Sequence, residues 1–523
     1  MSRRLLIFFL LCAIAVLTGC ARSAASSPDE PIRPGVPGVR PFWNENARQF
    51  IWPPAFDFKS VPGAARYRFT AVAEDGREFL FDAREPWAPL TSIWNDLPLG
   101  QVRLQVEARD AAGSAIGVAG SREFHRAAPF AGPYGEPVLS YARSADVAID
   151  GLIHEPFMQA WLTTGKPDPR YRLYRYSAKL IAAVMSAGPM YARQMPRPHD
   201  ADDAIAISRR AADYLISIST APGTRLENFP PTYHNIAPED RENENQTMLI
   251  SGAEAGGGYL DLFDATGDRK YSDAAVHIAD TYARLQRADG TWPLKVDNRT
   301  AESVAEIDLI PSAVITFLDR LITQYRLSRY QPARDRAIRW VMREPGLTFN
   351  WQAQFDDAKL RGAYQNLSKH EACEFAAYLF RHADGDVKKI ALAEEVVRFA
   401  EDQFVIWEHP PAVKARFENM QPRYWITPCS AEQYAMFEPI SGSSAFMIVA
   451  YLAAYRATDK PLYLDKARSL ANALTVAQQQ HHGRYPTRMV REDLLYWLNS
   501  TVNTARAMRM LAEVDARAGA PVR

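Results

Sequence analysis

Cysteine is scarce: this chain of 523 residues has four. Cys12 and Cys20 fall at the very start, which leaves Cys373 and Cys429. Two such residues are too few for a disulfide framework or a thiolate zinc centre, so they either pair in an oxidising compartment or stay as buried thiols. An excess of one charge is also missing. Basic and acidic residues number 61 each, so the basic stripe of a nucleic-acid binder is absent. Beyond the first twenty residues there is no long apolar run, which excludes a spanning helix further along. No P-loop, dinucleotide fingerprint or His-Glu-x-x-His zinc signature occurs, so neither a cofactor nor a metal is expected. What is present, 47% hydrophobic and 23% charged residues, is ordinary globular composition, in a chain long enough for at least two domains.

The start of the chain is an address. Arg3 and Arg4 precede an apolar run from Leu5 to Leu17, followed by Thr18-Gly19-Cys20. Basic, apolar and small-residue segments in that order form a secretory signal, and Leu17-Thr-Gly-Cys20 reads as a lipobox in which Cys20 becomes the acylated first mature residue. Residues 1–20 are thus expected to be a lipoprotein signal peptide and 21–41, rich in Ala, Ser and Pro, a flexible tether. Ala21 rather than Asp follows the lipidated Cys20, which resembles outer-membrane sorting. The expected location is a bacterial membrane, facing the periplasm or the cell surface, with the lipid bilayer as a partner.

Residues 42–130 alternate β-formers with turns. Arg66 to Val72, Glu78 to Asp82 and Gln101 to Ala108 read as strands around Glu74-Asp-Gly-Arg77 and Asp110-Ala-Ala-Gly113, a pattern that predicts a small β-sandwich. The segment resembles a fibronectin type III-like module, with Trp52, Trp87 and Trp94 expected in its core or interfaces; for Trp43 and Trp87 packing outweighs a binding role.

From residue 135 to 516 the period becomes helical. Amphipathic segments are expected at Ala201–Thr220, Thr247–Ala265, Lys270–Arg287, Val304–Tyr325, Pro332–Arg343, Asn366–His382, Val387–Val405, Ala431–Ala457, Pro461–Gln480 and Asp493–Ala516, with an earlier pair within Ser144–Met190. Two stretches repeat. Ala265-Thr-Gly-Asp-Arg-Lys-Tyr271 opens a helix that ends at Gln286 before Asp289-Gly-Thr-Trp-Pro293, and Ala457-Thr-Asp-Lys-Pro-Leu-Tyr463 opens one that ends near Gln478 before Gly483-Arg-Tyr-Pro486. Each is a helical hairpin with a short turn and a long return loop. About six such hairpins closed into a ring give a mainly α fold, an α/α toroid preceded by the small β-sandwich. Gln286-Arg-Ala-Asp-Gly-Thr-Trp-Pro293 resembles the loops of six-hairpin glycosidases and toroid polysaccharide lyases. That resemblance implies an enzyme degrading a polysaccharide or oligosaccharide, with a glycan as substrate.

Long loops in a compact domain usually carry function, and here they lead to the N-termini of the inner helices, whose partial positive charge suits anionic groups. Trp292, Trp351, Trp425 and Tyr485 could offer flat faces to sugar rings; Asn235, Arg361, Tyr434 and Arg488 could bond hydroxyls. Two chemistries compete. A uronate lyase abstracts the proton α to a carboxylate and needs Tyr or His as acid and base, with Asn or Arg at the developing enediolate. Tyr233, His234, Asn366, His370, Arg423 and Tyr424 supply those types, and this β-elimination is narrowly favoured. A six-hairpin hydrolase needs two carboxyls flanking the scissile bond, and Glu244, Asp357, Glu371 and above all Glu432, expected in the first turn of an inner helix, could serve. A sugar epimerase on the same scaffold would favour paired His, and a non-catalytic glycan-binding lipoprotein would need the aromatics but not the titratable cluster. Gly256-Gly-Gly258, inside a helical pattern, is better explained by close helix packing than by phosphate binding.

Overall fold

The computed structural model describes residue 43 and residues 45–194, 198–235, 238–357, 359–414 and 418–518. The signal peptide, Cys20 and the tether lie outside the described residues.

The N-terminal strands are β1 (Gln49–Phe50), β2 (Arg66–Ala73), β3 (Glu78–Ala83), β4 (Gly100–Arg109) and β5 (Ala115–Arg126), in one sheet of order β1-β5-β4-β2-β3. Neighbours are antiparallel except β1 and β5. Period-two alternation buries Tyr67, Phe69, Ala71 and Ala73 of β2 and Val102, Leu104, Val106 and Ala108 of β4 on one face. The sheet is single. No second sheet packs on it among the described residues; Phe50 of β1, Phe56 and Trp94 of the short helix Thr91–Trp94 pack their rings against Phe124 of β5.

Twelve helices build the ring: α1 (Tyr141–Ile153), α2 (Ser177–Gln194), α3 (Pro198–Ile218), α4 (Ile250–Thr266), α5 (Arg269–Leu285), α6 (Ser312–Thr323), α7 (Gln331–Arg343), α8 (His370–Arg381), α9 (Val387–Phe404), α10 (Ser441–Thr458), α11 (Pro461–Gln480) and α12 (Leu498–Ala518). Even-numbered helices form the inner layer, each touching the next, and α12 closes on α2. Each inner helix pairs with the outer helix that follows it; the last pairs with the first, α12 with α1. The expected six-hairpin toroid is therefore a closed ring.

The repeated motif proves to be architectural. Gly267, at φ +67°, ends α4, and the Asp268 carboxylate caps α5 by accepting from the Lys270 amide. In the second copy Asp459 takes the left-handed position and Pro461 opens α11. The Gln286 amide donates to the carbonyls of Gly290 and of Ala333 on the neighbouring outer helix α7. Gln478 does the same toward Gly483 and Ser144 of α1. Each glutamine staples its return loop to the next hairpin.

The inner layer needs small residues where helices approach. A Cβ on Gly256 of α4 would stand 2.4 Å from the Phe317 ring of α6, and one on Gly258 would stand 2.9 Å from the Ala182 carbonyl of α2, whereas one on Gly257 would meet nothing within 4 Å. Gly256→Ala is expected to lower stability by about 1–3 kcal/mol through overpacking. Gly257→Ala should leave the melting temperature unchanged or raise it, since alanine is the better helix former. Equal melting temperatures for the two variants would contradict the packing account.

The sheet is docked on the ring. Gln49 donates through Nε2 to the carbonyls of Asp402 and Val405, and the Asp402 carboxylate accepts from the amides of Ile51 at 2.6 Å and Trp52 at 2.9 Å. Trp43 stacks on Phe399 of α9. Behind this seam, Lys466 of α11 and Glu401 of α9 form a buried ion pair at 2.6 Å. Cys373 and Cys429 are free, buried thiols.

Candidate active site

The N-termini of all six inner helices surround a cavity of about 340 Å³. Charged side chains reach into it from apolar helices: Lys179 from the first turn of α2, Glu254 from α4, and His370, Glu371 and Glu374 from α8. Asp356 and Asp357 come from the loop before α8, and Glu432 from the loop before α10. About two turns past Glu254, Asp261 accepts from Ser186 and pairs with Arg320 and Arg506 at 2.7 and 2.9 Å, tying α4 to α2, α6 and α12. Phe355, Phe446 and Trp497 supply the apolar surface.

The loops hold their acids by bonding to one another. The Asn366 amide donates to Gln433 Oε1 at 2.7 Å and its oxygen accepts from the Ala435 amide, while the Ser368 hydroxyl donates to the Glu432 carbonyl. Lys369 Nζ donates to the carbonyls of Ala431 and Glu432 and to the Ser443 hydroxyl. Three acceptors match the three donors of an ammonium. Glu432 thereby sits on a fixed loop, 8% exposed, with the Gln433 amide donating to its Oε2 at 3.2 Å.

Electrostatics sorts the carboxyls into two kinds. Asp356 is locked to Lys179 at 2.5 Å. Burial opposes the Lys179 charge, yet Asp356, Asp357 and Glu254 together hold its ammonium above the ordinary range. Burial pushes Glu254 up to about 7, against the pull of Lys179. Burial also raises Glu432, partly offset by Lys369 and reinforced by Asp357, and it raises Asp357 beside Asp356. The His370 imidazole falls to about 3 through burial and the neighbouring Lys369 and Lys179, which leaves it neutral. The cavity thus combines carboxyls raised by burial with one paired to a lysine.

Of the residues named from sequence, the structure brings His370, Glu432, Asp357 and Glu371 into this cavity. It does not bring the other members of the elimination set there. The Tyr233 hydroxyl is buried and donates to the Asp356 carbonyl at 3.0 Å, so it supports the wall from behind. His234 packs edge-on to Tyr214, and Asn235 is exposed. Arg423 is exposed and lies over Tyr424. Asn366 acts on the Glu432 loop. Arg361 and Glu244 are exposed away from the cavity.

The expected aromatic platforms are core residues. Trp292 is fully enclosed and donates to the Tyr282 carbonyl, Trp351 is fully enclosed, and Trp425 donates to the Met420 carbonyl. Tyr434 donates to Gln403 Oε1, and Tyr485 bonds the Ser144 hydroxyl at 2.6 Å. Arg488 is held by Glu438 at 2.9 Å. The return loops are themselves folded inward, and their rings fill the core between layers. Glu432 also precedes its helix by nine residues rather than opening it. Lys179, Glu254, Asp356, Glu374 and Trp497 went unnoticed in the sequence. For Lys179 and Glu254 the signal was a lone charge inside an apolar inner-helix stretch.

No family model matches the chain, and no curated protein matches it. Solved structures do resemble it. A cellobiose 2-epimerase from Spirochaeta thermophila is 13% identical, with a TM-score of 0.50 over 71% of this chain and 98% of its own. A family 76 glycoside hydrolase from a bovine Bacteroides thetaiotaomicron strain is 10% identical, with a TM-score of 0.48 over 86% of this chain and 93% of its own. An unsaturated glucuronyl hydrolase specific for heparin is 11% identical, with a TM-score of 0.44 over 72% of this chain and 98% of its own. The likeness to the epimerase is one of fold.

Proposed function

We propose that the protein is an exported, lipid-anchored glycoside hydrolase that cleaves a glycan chain in the central cavity by paired-carboxyl chemistry. The observation that carries this reading is the composition of the cavity: Glu254, Asp356, Asp357 and Glu432 line it, and among the described residues no tyrosine does. A hydrolase needs one carboxyl that is protonated at working pH and one that is ionised. Glu432, raised by burial, is the proton donor to the leaving oxygen. Asp357, at the open side beside the lysine-bound Asp356, is the partner that activates water or attacks the anomeric carbon. Phe355, Phe446 and Trp497 offer apolar faces to sugar rings, and Cys20 holds the enzyme at a membrane where glycan is encountered. Among the described residues no helix is long and apolar enough to cross a membrane, which is consistent with attachment by lipid.

The elimination reading uses Tyr233 or His370 as proton carriers, and the Tyr233 hydroxyl is already committed to the wall. Tyr233→Phe is therefore expected to retain at least about a tenth of wild-type turnover, since positioned proton transfer is worth on the order of 100-fold or more. Cleavage in ¹⁸O-water should place the label at the new reducing end. Unsaturated uronyl ends that absorb in the ultraviolet, with no label, would reject hydrolysis.

The pH profile follows with its sign. A general acid works while protonated, and burial raises Glu432 above an ordinary glutamic acid. Turnover should persist toward neutral pH and decline as pH rises through the raised pKa. A decline already complete at pH 5 would exclude Glu432 as the donor.

A further inference from the structure

We propose that His370, Glu371 and Glu374 bind one divalent transition-metal ion in the cavity wall, with the remaining coordination positions open to sugar oxygens. The second clause rests on the glycan reading of the cavity; the first does not.

Three observations carry the site. Ligand atoms of these three side chains lie within 4.8 Å of one another. Donors around a single ion stand at most about twice the bond length apart, roughly 4–5 Å for bonds of 2.0–2.4 Å, so the cluster needs only a small inward movement. Second, His370 and Glu374 are four residues apart on α8 and share one helical face; this is the ligand spacing of a helical zinc motif with Glu in place of the second His. Third, Glu371 is 4% exposed, and its Oε2 has no hydrogen-bond partner although it lines the cavity. A buried carboxylate oxygen without a partner is costly, and a cation supplies what the protein does not.

The donor set defines the ion. One imidazole with two carboxylates favours Zn²⁺ or Mn²⁺ over Ca²⁺ and Mg²⁺, which prefer oxygen alone. The His370 ring packs against Phe446, with centroids 3.8 Å apart, which limits its rotation. Glu254 faces the same cavity from α4, available as a further carboxylate. The other positions open into the cavity, where vicinal hydroxyls or a carboxylate of a sugar complete the shell.

Protein stripped with a chelator and dialysed against Zn²⁺ or Mn²⁺ should take up one equivalent and melt at a higher temperature. Co²⁺ should give the visible absorption of an imidazole-bound ion in the unmodified protein. Glu374→Gln and His370→Asn should each weaken binding at least tenfold, while Glu432→Gln, which removes the proposed proton donor, should bind the ion normally. Absence of stoichiometric uptake, or uptake unchanged in both ligand variants, overturns the site. Because the readout is binding, a protein that binds the ion yet cleaves no glycan refutes the hydrolase reading alone.

Discussion

Glu432→Gln is expected to lower kcat on a cleavable glycan by on the order of 100- to 10,000-fold, the usual worth of a positioned general acid. The substitution changes one oxygen to an amide nitrogen and keeps the shape. Its neighbour Gln433 can reorient, and Lys369 keeps its bonds to the Ala431 and Glu432 carbonyls. The fold should therefore survive, with a melting temperature within a few degrees of wild type, and substrate should still bind. Asp357→Asn should be comparably damaging if it is the second carboxyl, whereas Asp356→Asn should act mainly by freeing Lys179. Substrates with an activated leaving group separate the roles, because they need little protonation: they should recover much of their rate with Glu432→Gln and none with Asp357→Asn. Normal turnover of an unactivated glycan by Glu432→Gln would remove the acid from the mechanism.

Asp402→Ala should be the most destabilising single change at the seam between sheet and ring. The carboxylate takes the amides of Ile51 and Trp52 and, at 2.6 Å, the Gln403 side-chain amide. Alanine takes this acceptor from the Ile51 and Trp52 amides and from one hydrogen of the Gln403 amide, which keeps the Gln49 carbonyl at 3.3 Å; at about 1–3 kcal/mol for each lost partner, a total loss of roughly 3–5 kcal/mol is expected. Thermal melts should shift down by several degrees, and trypsin should cut between the sheet and α1. The pH dependence has a definite sign. Burial holds the Asp402 carboxyl up at about 7, so the folded chain keeps a proton that the unfolded chain releases near pH 4. Its contribution is full below that pH and is lost as pH rises through 7. Protease resistance equal to wild type would mean that the sheet is held by other contacts.

Much of the ring was legible because outer helices repeat their apolar residues at the helical period and carry polar caps. Pro461–Gln480 was placed to the residue, and Arg269–Leu285 within two. Inner helices were begun too early at Val304, Asn366, Ala431 and Asp493. The preceding loops contain Leu309, Ile310, Leu367, Tyr434 and Ile440, all buried, and a loop that must enter the core carries the apolar residues of a helix without its hydrogen bonds. The same inward course turned the loop aromatics from expected platforms into packing. The acids were partly legible: Glu432, Asp357 and Glu371 stood out as carboxyls near the loops, but nothing local shows that Glu254, four residues past the start of α4, faces them across the ring. That juxtaposition is made by closure.

Pairing the first ring helix with the last has a consequence for how the chain acquires its shape. Five hairpins join neighbours in sequence and can form as soon as their residues are available. The sixth joins Tyr141–Ile153 to Leu498–Ala518, a contact spanning nearly the whole domain, and such distant contacts are slow to form because the loop entropy must be met first. Until the C-terminal helix docks, the cavity is a gap in an open arc, and Trp497, Asn503 and Arg506 are missing from its wall. A nascent chain therefore has no assembled acid pair while it is still being made or moved. On the hydrolase reading activity needs this helix, and a truncation before Leu498 should erase it while sparing most of the helix content.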